Sequence, residues 1–149
     1  MAAAIKEGYQ GPVFIQADHT QANVKKFKEN PEKELETLQN LIAEAIDFGF
    51  YNIDIDSSTL VDLTQPSVKK QQYYNFYTCA KLTQFIRRIE PKGVTVSVGG
   101  EIGEVGHKNS TPEELRVFMD GFKDRLRKGL AGISKISVQT GTSHGGVVL

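Results

Sequence analysis

Four short β-branched and apolar runs punctuate the chain: VFIQA (13–17), YNIDI (51–55), VTVSV (94–98) and ISKISV (133–138). Their starts recur at roughly 40 residues, the natural length of one β-loop-α-loop unit. The segments between them carry helical periodicity. Asn30-Pro31 reads as an N-cap followed by proline in the first turn, and Leu35, Leu38, Ile42, Ala45 and Ile46 then share one face up to Gly49. A second helix is predicted from about Pro66 to Glu90. Its stripe is Tyr73, Phe76, Tyr77, Ala80, Phe85, Ile86 and Ile89, and it stops at Pro91 and Gly93. The third opens on Thr111-Pro112-Glu113-Glu114, a capping box, buries Leu115, Phe118, Met119, Phe122 and Leu126, and is closed by Gly129. The polar stretch 20–29 reads as either a loop or a short helix. This is a βαβ series, so the expected fold is α/β with a parallel sheet.

Composition narrows the class. The 149 residues suffice for one domain with a hydrophobic core, and no linker or low-complexity segment divides them. Lys and Arg balance Asp and Glu at 18 each, which argues against nucleic-acid or anionic-membrane partners. Cys79 is the single cysteine, so no intrachain disulfide forms and a reducing compartment is the simpler setting. No run approaches a membrane span, and MAAAIKEGYQ has no signal-peptide core. The expectation is a cytoplasmic protein without a membrane partner.

Each strand run leads into residues able to bind metal or move protons. These are Asp18 and His19; Asp54 and Asp56 with Ser57, Ser58 and Thr59; Glu101 after Gly99-Gly100; and His144 after Gly141-Thr142-Ser143. At the C-terminal edge of a parallel α/β barrel such residues converge on one face. Imidazole with carboxylate suits zinc, so His19 and His144 are ligand candidates and Glu101 and Asp56 the accompanying carboxylates, with Asp54 ranked below Asp56. Each has a plainer alternative: a hydrogen-bonding histidine at a strand end, or an aspartate that shapes a turn. His107, in a polar loop, reads as solvated. The glycines of GTSHGG could expose backbone N–H groups to a phosphate, or form only a tight turn. GGEIGEVG is not a dinucleotide fingerprint.

ADHT (17–20), IDSST (55–59), GGEIGEVG (99–106) and GTSHGG (141–146) together resemble the class II, metal-dependent fructose-bisphosphate aldolases, whose relatives include tagatose-bisphosphate aldolases. The resemblance covers almost the whole chain in order. It implies a (β/α)8 TIM barrel of which this chain, residues 1–149, supplies about four βα units, the family's third to sixth strands. It implies His19 and His144 as Zn2+ ligands, and Glu101 and Asp56 as carboxylates of an alternative metal position, with room for a second divalent or monovalent cation. Asp18 would be the acid/base on the C4 hydroxyl. Ser143, Gly145 and Gly146 would help hold a substrate phosphate.

The implied activity is zinc-dependent, reversible cleavage of fructose 1,6-bisphosphate to dihydroxyacetone phosphate and glyceraldehyde 3-phosphate, a glycolytic lyase reaction. Three departures stand out. Gln16 occupies the place where the family often has His. The loop GEVGHKNSTPEEL keeps only Glu104 close to Glu101. The strand expected to carry a third zinc histidine lies outside the chain. The expected partners are therefore a sugar bisphosphate and either the missing barrel strands or further copies of the chain. Two other readings compete: a catalytically silent aldolase-like subunit with an assembly role, and a metal-free phosphate-binding α/β module.

Overall fold

The computed structural model describes residues 2–103 and 108–141. In chain order the elements are α1 (Ala2–Lys6), β1 (Gln16–Gln21), α2 (Val24–Glu29), α3 (Pro31–Asp47), β2 (Asn52–Asp56), a 3-10 turn (Ser58–Leu60), α4 (Val68–Gln71), α5 (Tyr73–Ile89), β3 (Ser97–Glu101), α6 (Pro112–Arg125) and β4 (Lys135–Ser137). The four strands form one parallel sheet in the order β1-β2-β3-β4, so each crossover returns beside the strand it left. The fold is α/β, as the alternation of strand and helix patterns requires.

The pleat sorts the sheet into two faces. Ala17, Ile53, Ile55, Val98, Gly100 and Ile136 fall on the face against the helices; a Cβ on Gly100 would meet Phe118, Cys79 and Ile133. That face joins Leu38, Ile42 and Ile46 of α3, Phe76, Leu82 and Ile86 of α5, and Phe118 and Phe122 of α6 in one core. Burial pushes the Cys79 thiol up to about 12. The opposite face alternates with it: Gln16, Asn52, Asp54, Asp56, Ser97, Gly99, Glu101, Lys135 and Ser137. Nearly all of its side chains are polar.

Local signals set the helix starts. Asn30 Oδ1 accepts from the Lys33 backbone N–H at 3.1 Å, with Pro31 in the first turn. Thr111 and Glu114 form the reciprocal capping box. One buried cation ties the core's far end together. Arg87 donates to the Glu90 carboxylate at 2.6 Å and to the carbonyls of Val96, Ala131 and Gly132, while its side chain is 3% exposed.

Several boundaries differ from the sequence pattern. The first strand starts at Gln16, not Val13, and Phe14 is 83% exposed, because pairing begins where Gln16 meets Asn52. The third and fourth start at Ser97 and Lys135. The second helix is two, α4 and α5, joined at the buried Gln72, whose side chain accepts from Asn75. The ambiguous stretch contains α2, capped by Asn23. The third helix ends at Arg125, before Gly129. Among the described residues, no helix is long and apolar enough to cross a membrane.

Candidate metal and acid/base site

The site starts from an irregularity in β1. Ala17 pairs with Ile53 and Thr20 with Ile55, so three steps along β1 match two along β2. Two residues, Asp18 and His19, therefore stand opposite the single Asp54. This is a β-bulge, which re-aims a side chain that strict alternation would send into the core. The backbone cost falls on His19, whose φ of +50° lies in the left-handed region that non-glycine residues rarely enter. The result is a consecutive Asp-His pair beside the polar face.

On that face His19 Nδ1 lies 3.6 Å from Asp56 Oδ2, and His19 Nε2 lies 4.0 Å from Asp18 Oδ2. His19, Asp56 and Glu101 each offer one ligand atom, all within 4.8 Å of one another. The Asp18 and His19 side chains are 61% and 47% exposed, whereas that of Asp56 is 4% exposed. The carboxylates thus form a fixed floor and the Asp-His pair an accessible rim.

The floor is braced from several directions. Gln21 donates to Asp56 Oδ2 at 2.5 Å, and the Ser58 backbone N–H and hydroxyl donate to Asp56 Oδ1 at 3.2 and 2.7 Å. The buried Asn75 of α5 donates to the Glu101 carbonyl at 2.9 Å and accepts from the Ser57 hydroxyl at 2.7 Å. One side chain therefore links the ends of β2 and β3. Gly103, with φ of +51°, lets the chain leave β3 close to Ser58 and Glu101; a Cβ there would stand 2.5 Å from the Ser58 hydroxyl.

Electrostatics follow from this crowding of carboxylates. Partial burial lowers the His19 pKa, but the charge of Asp18, the hydrogen bond to Asp56 and the charges of Glu101 and Asp56 outweigh it and hold the imidazole above its ordinary value. Burial raises the Asp54 carboxyl; the Asp18 charge adds to this and the Lys135 ammonium opposes it. The same carboxylate charge would favour a divalent cation in place of the imidazole proton, which His19 must give up to act as a ligand.

One imidazole and two carboxylates are donor types that zinc accepts, so the group could hold a metal ion. Ligands of a tetrahedral zinc at about 2.0–2.2 Å stand roughly 3.4 Å apart. Against that spacing, the three donor atoms lie within 4.8 Å of one another. Of the residues singled out from sequence, Asp18, His19, Asp56 and Glu101 are brought together, with Asp54 beside them. His144, Ser143, Gly145 and Gly146, together with Glu104 and His107, lie outside the described residues.

Gln21, Asn75 and Lys135 join the site without having been singled out from the sequence. Asn75 was findable, because it lies three residues after Gln72 and four before Cys79, on the buried face of α5. No family model matches the chain, and no curated protein or solved structure matches it.

Proposed function

We propose that the chain is a piece of a class II, zinc-dependent aldolase that cleaves fructose 1,6-bisphosphate. The observation that carries this reading is the bulge that sets Asp18 and His19 together beside Asp56 and Glu101. A left-handed histidine beside carboxylates carries backbone strain, and a functional role would account for it.

His19, Asp56 and Glu101 would hold the metal, with His144 as the further ligand implied by the resemblance. When bound, zinc supplies Lewis-acid polarisation of the substrate ketone. The exposed Asp18 carboxylate takes the proton of the C4 hydroxyl. The C3–C4 bond then breaks, its electron pair moves toward the ketone oxygen, and glyceraldehyde 3-phosphate leaves. A proton from water then adds to C3 to complete dihydroxyacetone phosphate, and Asp18 returns the proton it took to solvent. The buried Asp56 and its donors keep the ligand positions still during these steps.

The sheet itself supports the barrel half of the reading. Lys135 of β4 hydrogen-bonds to Gln16 of β1 with two strands between them. On a flat sheet three strand spacings span about 14 Å, so the contact suits a sheet curving around its polar face, as in a TIM barrel. Completion by further barrel strands or by other copies of the chain is part of the proposal.

The test is zinc titration of the full chain with His19→Ala and Asp56→Asn beside it, followed by a fructose 1,6-bisphosphate cleavage assay with Asp18→Asn. Stoichiometric zinc lost in the first two variants, with cleavage lost in the third, is expected. Zinc binding indifferent to both substitutions would overturn the reading.

A further inference from the structure

The Lys135 ammonium donates to Gln16 Oε1 at 2.6 Å, and Gln16 Nε2 donates to Asp18 Oδ1 at 3.1 Å. These two bonds form a line from the last described strand to the exposed carboxylate. From them we infer that Lys135 and Gln16 are positioning residues, acting through one another to aim the Asp18 carboxylate. The inference rests on the reading of Asp18 as the proton-transfer group.

An amide side chain has an acceptor end and a donor end that differ little in shape, so an isolated glutamine can present either. An ammonium carries donors only. With Lys135 on one side, only the carbonyl oxygen of Gln16 can face it, and the NH2 group must then point the other way, at Asp18. The lysine therefore decides the polarity of the amide, and the amide holds one carboxylate oxygen. The other oxygen, Oδ2, remains on the His19 side.

The path is built into the sheet. Lys135 pairs with Gly99 on β3, and Gly99 pairs with Asp54 on β2. A Cβ on Gly99 would stand 3.0 Å from Lys135 Cε and would collide with the Asp54 carboxylate. The missing side chain is the passage by which Lys135 crosses the face, and Asp54 lies alongside it as a countercharge.

Stability does not account for the arrangement. Both hydrogen bonds are exposed, where such contacts contribute little to folding. What they change is the direction of a carboxylate on the rim of the site. Misplacing a catalytic group by about 1 Å can cost up to about a hundredfold in rate.

The experiment uses the full chain and its Lys135→Met, Lys135→Arg and Gln16→Leu variants. The first readout is the side-chain amide signal of Gln16 in a 1H–15N spectrum, assigned by its loss in Gln16→Leu. It should move in Lys135→Met and in Asp18→Asn, and stay near its place in Lys135→Arg. The second readout is cleavage of fructose 1,6-bisphosphate. Lys135→Met and Gln16→Leu should lower kcat about tenfold with KM and zinc stoichiometry held, and Lys135→Arg should restore most of it.

A Gln16 signal indifferent to both Lys135→Met and Asp18→Asn overturns the relay, whatever the chain catalyses. Unchanged kcat in an active parent overturns its positioning role. A signal that moves as expected in a chain whose zinc binding ignores His19→Ala and Asp56→Asn supports the relay and counts against the aldolase reading.

Discussion

His19 Nδ1 lies 3.6 Å from Asp56 Oδ2, and it reaches that place from a strand position that regular alternation would turn toward the core. The bulge between Ala17 and Thr20 makes the approach possible, and the left-handed backbone at His19 is what it costs. The left-handed conformation disfavours any residue with a Cβ by about 1–2 kcal/mol, and glycine escapes that penalty. His19→Gly should therefore be more stable than His19→Ala by about 1 kcal/mol, although both lose the imidazole. Urea denaturation of the two variants measures the difference. Equal midpoints would mean that the strain is not there.

Gly121 sits inside α6, where replacing glycine by alanine ordinarily stabilises a helix by about 1 kcal/mol. Here the added methyl would stand 2.6 Å from the Phe76 ring. Phe76 is fully buried and cannot yield without disturbing the contact between α5 and α6. Gly121→Ala should therefore destabilise the fold by about 1–3 kcal/mol, reversing the propensity effect. A rise in thermal midpoint would contradict this.

Arg87 closes the end of the core with one ion pair and three carbonyl contacts. Arg87→Met keeps much of the stem's packing but removes every donor. Glu90 keeps the Val96 backbone N–H at 2.9 Å but loses its ion pair, three carbonyls lose the guanidinium donors, and the expected loss is about 3 kcal/mol. Denaturant unfolding reads it. A loss below about 1 kcal/mol would mean that water replaces the guanidinium at no great cost.

Glu114 gives a pH-dependent prediction. Partial burial raises its pKa, but the Lys108 ammonium and the Thr111 backbone and hydroxyl donors outweigh burial and hold the carboxyl below its ordinary 4.5. The folded state thus binds this proton less readily than the unfolded chain. The stabilisation is complete above the ordinary value and is lost as pH falls through the lower folded value. Glu114→Gln should be less stable than the parent by about 1 kcal/mol at neutral pH, with the gap closing in acid. A gap constant with pH would show that the charge does not matter.

The sequence made the alternation of strands and helices readable, because apolar residues recur at the spacings that one-sided burial demands. It also showed the caps at Asn30 and Thr111, since these are local chemistry. The start of β1 was not readable. Val13-Phe14-Ile15 has the composition of a strand, whereas the paired segment is the polar QADHTQ. Its polarity has two causes, an open face and a bulge that breaks the alternation, and neither shows without β2 beside it. The break at Gln72 was hidden for a similar reason: its amide answers to Asn75 inside the core, not to any helix-stopping residue. Asp18, His19, Asp56 and Glu101 were visible as chemistry-bearing residues in the strand regions. The contact from Ser58 to Asp56 is a local turn of the kind the sequence offered for that aspartate. The bracing by Gln21 and Asn75 depends on tertiary approach, and of the two only Asn75 had a mark, its place on the buried face of α5.

The sequential strand order has a consequence for how the chain assembles. Each new βα unit needs only the edge left by its predecessor, so ordering can proceed stepwise in the direction of synthesis. His19 and Asp56 meet once the first crossover closes, and Glu101 joins them after the second. The bond from Lys135 to Gln16 spans 119 residues and requires all three crossovers. Loop closure is slowest to be rewarded where the sequence separation is greatest, so this contact is expected late in the ordering of the described sheet. If Lys135 aims Asp18, the acid/base group gains its final orientation only when the last described strand has docked.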